Sequence, residues 1–120
     1  MKRLAGLVAV LALLAAPAQA AAPARMLVIA DEWMLLSSRR KVAAGKLEIQ
    51  LYNRGEDVHD LAARRVSRAG KPVGRTFRVH ETRPGDLSEA TWRLKSGKYS
   101  LWCTLPGHRA AGMRATLRAR

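Results

Sequence analysis

Three residues with metal-binding side chains follow one another near the end of the chain, and their spacing is the most informative feature of the sequence. Cys103, His108 and Met113 supply a thiol, an imidazole and a thioether at C-x4-H-x4-M spacing. A second imidazole is available at His59. Two His, one Cys and a weakly bound axial Met form the ligand set of a mononuclear blue-copper centre. We therefore predict that these four residues bind a single copper ion.

The cysteine content limits what the thiol can do. Cys103 is the only cysteine, so it cannot form a disulfide within the chain. In an oxidising compartment such a thiol is an intermolecular partner, a reactive group or a metal ligand. Its position beside His108 and Met113 favours the metal ligand. A copper-bound sulfur must be deprotonated, and the metal itself ensures that.

The candidate ligands are expected on one loop and on one separate strand. Residues 98–103 and 113–119 both alternate apolar and polar side chains, which is typical of half-buried strands. The loop that joins them contains Pro106 and Gly107, and these residues let a tight loop turn its ligands toward one point. His59 must come from a different strand, which ties the metal to the folded core.

The remaining sequence predicts further short strands. Apolar runs or alternating patterns occur at 26–30, 33–36, 47–52, 76–79 and 88–94, and turn-forming residues separate them. Residues 64–74 are predicted to form a hairpin or loop. There is no long amphipathic helical stretch and no internal repeat. The pattern predicts an all-β sandwich or barrel in a single domain.

The first twenty residues are predicted to be a signal peptide. Two basic residues precede an apolar run at 4–16, and Ala18-Gln19-Ala20 supplies a small-residue cleavage site. The apolar run is shorter than the roughly 20 residues that cross a bilayer. Cleavage after Ala20 would leave residues 21–120 as one domain in the periplasm or outside the cell, without a membrane span. An uncleaved anchor is the alternative.

The chain is strongly basic, with a formal net charge of +13. Such a charge favours acidic partners or anionic surfaces. Nucleic acid is not expected, because no basic run is interleaved with aromatic residues as in single-strand binders. A generally solvated basic surface and a patch for one dedicated partner both remain open.

Two segments of this sequence resemble the cupredoxins, the family of small blue copper proteins that includes plastocyanins and azurins. The first, Asn53 to Leu61, reads N-x-G-x-x-x-H-D-L, and the second, Tyr99 to Met113, reads Y-S-L-W-C-T-L-P-G-H-R-A-A-G-M. The resemblance implies a Greek-key β-sandwich for residues 21–120. It also implies the same four copper ligands: His59, Cys103, His108 and Met113.

The residues next to these ligands are expected to support them. Asp60 stands where better-known cupredoxins carry Asn, and we expect its carboxylate to accept hydrogen bonds from Thr104. Ordinary turn chemistry is the alternative for Asp60 and the expectation for Asn53. His80 is predicted to lie outside the site. The resemblance further implies an apolar surface around the loop His, formed here by Leu105, Pro106, Ala110 and Ala111.

These observations predict a monomeric, exported one-electron carrier in which copper cycles between Cu(I) and Cu(II). Its partners would be other redox proteins, with acidic surfaces. The alternative is a copper-handling protein without rapid electron transfer, although such proteins more often carry Met or Cys clusters. An enzyme is not expected, because copper enzymes of this kind need further sites and only three His are present. A complete ligand set also disfavours a vestigial site.

Overall fold

A computed structural model describes residues 15–120, and within them nine strands and one short helix form the regular structure. The elements are β1 (Ala24–Asp31), β2 (Met34–Ser37), β3 (Lys41–Val42), β4 (Gly45–Asn53), β5 (His59–Val66), β6 (Pro72–Thr82), β7 (Leu87–Leu94), β8 (Gly97–Trp102), α1 (His108–Ala111) and β9 (Arg114–Ala119). Of the predicted signal peptide, residues 1–14 lie outside the described residues.

The strands form two mixed sheets that pack face to face. One has the order β2-β1-β4-β7 and the other has the order β3-β9-β8-β5-β6. The β1–β4 and β3–β9 pairs are parallel, and the other pairs are antiparallel. The prediction of an all-β Greek-key sandwich in a single domain is therefore confirmed.

The core lies between the sheets and follows from the alternation in the sequence. In β4, Leu47, Ile49 and Leu51 are buried while the residues between them are not. Tyr99 and Leu101 of β8 are buried opposite them. Removing such side chains from water contributes roughly 25 cal/mol for each Å² of apolar surface, so the alternation fixes which face of each strand points inward.

Two of the candidate metal ligands, His59 and Cys103, meet at one end of the sandwich. Strand β5 lies between β6 and β8, and it pairs with β8 in antiparallel register from Ala62↔Trp102 to Val66↔Lys98. Antiparallel neighbours place the start of one strand beside the end of the other. His59 begins β5 and Cys103 directly follows β8, so this register brings the two residues together.

The predicted hairpin at 64–74 is present, because β5 and β6 are antiparallel and joined by a tight turn at 67–70. Within residues 15–120, no helix combines the length and the apolar character needed to cross a membrane.

We expect the packing of β4 to be a main source of stability. Leu47 has no exposed surface, whereas Leu87 of the neighbouring strand β7 is 49% exposed. Leu47→Ala should therefore lower the free energy of unfolding by about 2–5 kcal/mol, because it removes buried methyl groups and leaves a cavity. Leu87→Ala is the matched control and should cost less than about 1 kcal/mol. Urea denaturation of both variants measures the difference, and equal losses would contradict this account of the core.

Candidate metal centre

Three of the four candidate ligands converge at the end of the sandwich. The Nδ1 atoms of His59 and His108 lie 3.2 Å apart, and the Sγ atom of Cys103 lies 3.6 Å from Nδ1 of His108. One ligand atom from each residue lies within 4.8 Å of the others, and all three residues are buried. The convergence of two imidazole nitrogens and one thiol sulfur makes this cluster a candidate metal site.

The spacing of these atoms fits one metal ion. Typical bonds are about 2.0 Å to imidazole nitrogen and about 2.3 Å to thiolate sulfur, and at these lengths the observed separations correspond to angles of roughly 105° to 115° at the ion. Two nitrogens and one soft sulfur suit copper or zinc rather than calcium or magnesium, which prefer oxygen ligands. The donor set is therefore compatible with copper both in chemistry and in size.

A carboxylate missed by the sequence analysis orients the first imidazole. The Oε1 atom of Glu32 lies 2.6 Å from Nε2 of His59. An ionised carboxylate only accepts hydrogen bonds, so Nε2 carries the proton in this contact. In the neutral ring Nδ1 is then left with its lone pair, facing Cys103 and His108. Hydrogen bonds of this kind fix the tautomer of a metal-binding His and raise its basicity.

Backbone groups in turn hold the carboxylate of Glu32. The N–H groups of Asp57 and Glu56 donate to its two oxygens at 2.9 and 2.8 Å. These backbone bonds, followed by the contact with His59, lower the pKa of Glu32 to about 2. A Cβ atom at Gly55 would collide with the same carboxylate, so a larger residue at this position would force the Glu32 side chain to move.

The expected bonds between Asp60 and Thr104 are present. The backbone N–H of Thr104 donates to Oδ1 of Asp60 at 2.6 Å, and the Thr104 hydroxyl donates to Oδ2. Asp60 follows His59 and Thr104 follows Cys103, so one carboxylate links the segments that carry the two ligands. This pair holds the imidazole and the thiol in a fixed relation.

The ligand loop contains one helical turn that the sequence did not predict. Helix α1 begins at His108, and the backbone N–H of Met113 donates to the carbonyl oxygen of His108 at 3.1 Å. The N–H of Cys103 donates to the carbonyl oxygen of Met113 at the same distance. Met113 is fully buried. These bonds fold the loop back so that its three candidate ligands are neighbours.

Asn53 has a larger structural role than the expected turn chemistry alone. Its side chain is fully buried. The amide donates to the carbonyl oxygens of Asp57 and Thr82 at 2.7 and 2.8 Å and accepts from the N–H of Gly55 at 2.9 Å. One side chain thus shapes the turn before His59 and joins it to β6.

The ligand loop presents several apolar residues to solvent near His108. His108 is only 8% exposed, while Pro106, Ala110 and Ala111 are exposed and Leu105 is half-buried. Trp33, which was not expected here from the sequence, packs its ring edge-on against His108 with centroids 4.9 Å apart, and it is 47% exposed. The loop His is therefore bordered by exposed apolar groups and by the carboxylate of Asp57, whose Oδ2 atom lies 3.8 Å from Nε2 of His108.

The third histidine, the cysteine and two of the methionines differ in burial and in their position relative to the site. His80 is exposed and lies outside the cluster, in agreement with its exclusion from the site. Burial raises the pKa of the Cys103 thiol, so a thiolate here requires a compensating cation. Met26 and Met34 both lie in apolar runs that are predicted to be strands, but only Met26 is buried in the core, since the side chain of Met34 is 41% exposed.

Comparison with known proteins identifies the fold. The sequence matches none of the protein-family models and none of the curated proteins with which it was compared. Its structure is similar to auracyanin B, with a TM-score of 0.66 and 19% identity over 83% of this chain and 91% of that one. It is also similar to auracyanin A, a blue copper protein from Chloroflexus aurantiacus, with a TM-score of 0.64 and 15% identity over 82% and 100% of the two chains.

Rusticyanin from Thiobacillus ferrooxidans is a further similar structure, with a TM-score of 0.58 and 14% identity over 80% of this chain and 76% of that one. Auracyanins and rusticyanin are cupredoxins. The chain therefore has the cupredoxin fold, and the resemblance drawn from its sequence is confirmed at that level.

The two residues that the sequence analysis missed, Glu32 and Trp33, are consecutive and follow β1. The parallel register of β1 and β4, with Ala30 opposite Asn53, places them beside the turn that precedes His59. The two consecutive acidic residues after an apolar run, Asp31 and Glu32, were the available signal. It was weak, because nothing local in the sequence identifies the partner strand.

The contacts of Glu32 predict a pH-dependent contribution to stability. Because the pKa of Glu32 is about 2 in the fold against 4.5 in its absence, its charge stabilises the protein fully above the higher value. That stabilisation is lost as the pH falls toward the lower one. Glu32→Gln should therefore lower the free energy of unfolding at neutral pH by about 1–3 kcal/mol.

Urea denaturation of the metal-free wild type and variant, repeated from pH 7 to pH 2, measures this effect. The difference between the two proteins should shrink as the pH falls below the unfolded value of 4.5. A difference that stays constant over this range would show that the charge of Glu32 is not what stabilises the turn.

Proposed function

We propose that this protein binds one copper ion through His59, Cys103, His108 and Met113 and acts as a one-electron carrier. The observation that carries the proposal is the convergence of two imidazole nitrogens and one thiol in a buried position at the end of a cupredoxin fold. Similarity to a structure described as a blue copper protein supports copper as the metal. Met113 completes the set as the weak axial ligand.

The residues around the site keep the ligands in place. The carboxylate of Glu32 fixes the ring of His59, and the carboxylate of Asp60 fixes the segment after Cys103. Copper, when bound, supplies a one-electron couple between Cu(I) and Cu(II). Ligands held by such hydrogen bonds move little when the charge of the site changes. This favours rapid electron transfer over uptake and release of the metal.

Electrons would enter and leave at the exposed edge of the ligand loop. His108 is the ligand nearest solvent, with Trp33 packed on one side and exposed apolar residues of the loop around it. An apolar contact surface excludes water when a partner docks and demands no salt bridges. A redox protein that covers this surface would come close to the imidazole of His108.

We further propose that residues 1–20 are a signal peptide and that residues 21–120 function as a monomer in the periplasm or outside the cell. The basic start, the uncharged apolar run and the small-residue site at Ala18–Ala20 support export. An oxidising compartment also suits a protein with a single thiol that is protected by a metal. Partners with acidic surfaces match the net charge of residues 21–120, which is +11 because two of the basic residues lie in the signal peptide.

Removing the thiol should abolish the copper chromophore. Cys103→Ser replaces the soft sulfur with a hard hydroxyl, so the intense thiolate-to-copper absorption should disappear and copper binding should weaken sharply. His59→Ala should weaken binding as well, whereas His80→Ala is the matched control and should leave spectrum and affinity unchanged. Visible absorption, electron paramagnetic resonance and copper analysis of the loaded proteins measure these effects.

The same spectra separate the two candidate functions. Strong blue or green absorption with fast, reversible reduction supports the electron carrier. A pale spectrum, or a protein that holds copper only as Cu(I), would instead support a copper-handling protein without rapid electron transfer. Retention of colour and affinity in Cys103→Ser would show that the ligand assignment itself is wrong.

A further inference from the structure

The outer face of the five-stranded sheet carries basic residues in every cross-strand row. In one row Lys41 lies opposite Arg118, and Arg118 lies opposite Lys98. The next row contains Arg64 beside Ser100. Directly paired residues point to the same side of a sheet, and the side chains between them form the core, so these rows form one continuous surface.

The third row completes this surface at the end near the metal site. Arg114 lies opposite Trp102, Trp102 lies opposite Ala62, and Ala62 lies opposite Arg78. The guanidinium of Arg109 stacks on the Trp102 ring, 4.5 Å from its centroid. We refer to this surface as the basic face; its charged members are Lys41, Arg64, Arg78, Lys98, Arg109, Arg114 and Arg118.

No acidic residue occupies any of these three rows, and the opposite side of the molecule differs. The outer face of the four-stranded sheet also carries cations, but Glu48 and Glu89 lie among them. Arg25 forms an ion pair with Glu48 at 2.9 Å, and Lys46 lies 3.7 Å from the same carboxylate. Within residues 15–120, none of the basic-face residues has a carboxylate within 4.0 Å.

We propose that the basic face is a docking surface for a protein with an acidic surface. Unpaired like charges on adjacent strands repel one another, and such an arrangement destabilises the sheet unless a complementary charge covers it. Arginine predominates in the basic face, and its planar guanidinium binds carboxylates through two hydrogen bonds. The charge excess of the chain is thus concentrated on one face instead of being spread over the whole surface.

A membrane surface matches the basic face less well than an acidic protein does. Proteins that lie on a bilayer combine basic residues with apolar side chains that enter the headgroup region. The exposed large apolar residues of the described chain are Trp33, Met34, Leu36 and Leu87. All of them belong to β2, β7 or the turn before β2, and none lies in the rows of the basic face. The ring of Trp102, which does lie there, is covered by Arg109.

This docking surface adjoins the apolar surface around His108 at Arg109, and it does not depend on which metal the site binds. An acidic partner held by the five-stranded sheet would be steered to the molecule from a distance. Its contact would weaken as salt rises, because ions screen exposed charges over about 8–10 Å.

The chain offers a matched pair of variants for the test. Lys98 and Arg118 are directly opposed on β8 and β9 of the basic face, and Lys46 and Arg93 are directly opposed on β4 and β7 of the other sheet. All four side chains are exposed. K98E/R118E and K46E/R93E therefore change the net charge equally and alter opposite faces, although K46E also removes the contact between Lys46 and Glu48.

Poly-L-glutamate serves as the acidic probe, with vesicles of phosphatidylcholine and phosphatidylglycerol as the membrane probe. Dissociation constants are measured by calorimetry at low and physiological salt, and amide shifts of the wild type show which strands the probe contacts. We expect K98E/R118E to weaken poly-L-glutamate binding at least tenfold and K46E/R93E to weaken it less than threefold. The shifts of the wild type should be confined to α1 and the five strands of this sheet, β3, β5, β6, β8 and β9.

Four results would overturn the proposal. They are equal weakening by both variants, amide shifts on both sheets, binding to the vesicles but not to poly-L-glutamate, and no binding at physiological salt. The wild-type shifts decide the question even if one double variant fails to fold. Loss of copper binding would refute the proposed function and leave this result unaffected.

Discussion

The antiparallel pairing of β5 with β8 is the constraint on which the rest of the site depends. It sets the beginning of one central strand beside the end of the other, and so brings a histidine and a cysteine that are far apart in sequence to the same end of the sandwich. A shift of one residue would turn the inward side chains of β5 toward solvent. The burial of Leu61 and Ala63 therefore protects the register and, through it, the position of His59.

Buried and half-buried polar side chains then fix the relative positions of the segments that the strand pairing brings together. Asn53, Asp60 and Glu32 each connect two segments that the strand pairing alone leaves independent, and their side-chain oxygens accept hydrogen bonds from backbone N–H, hydroxyl or imidazole groups. Buried polar groups stabilise a fold only when such partners are present. The polar residues at this end of the molecule thus hold the ligand loop, while the apolar core holds the sheets.

Much of this architecture could be predicted from the sequence because its signals are local. Alternation in residues 98–103 predicted β8, and the C-x4-H-x4-M spacing predicted the loop. The contacts made by Glu32 and Trp33 could not be predicted, because they depend on β1 pairing in parallel with β4. The exposure of Met34 has the same origin: a short apolar segment reads as core until its strand proves to lie at the edge of a sheet. The concentration of charge on one sheet likewise requires knowledge of which strands are neighbours.

The two outer faces differ in charge, because the four-stranded sheet carries residues of both signs and the five-stranded sheet carries the basic face. The molecule therefore has an electric dipole across the sandwich, with its positive end at the five-stranded sheet. Near a negatively charged electrode or cation exchanger, such a molecule does not tumble freely but turns its five-stranded sheet toward the surface. His108 lies at the end of the sandwich, so its exposed edge would then point along the surface. An immobilised layer of this protein would therefore be ordered without any chemical tether, with the strands lying flat and the ligand loops at the sides.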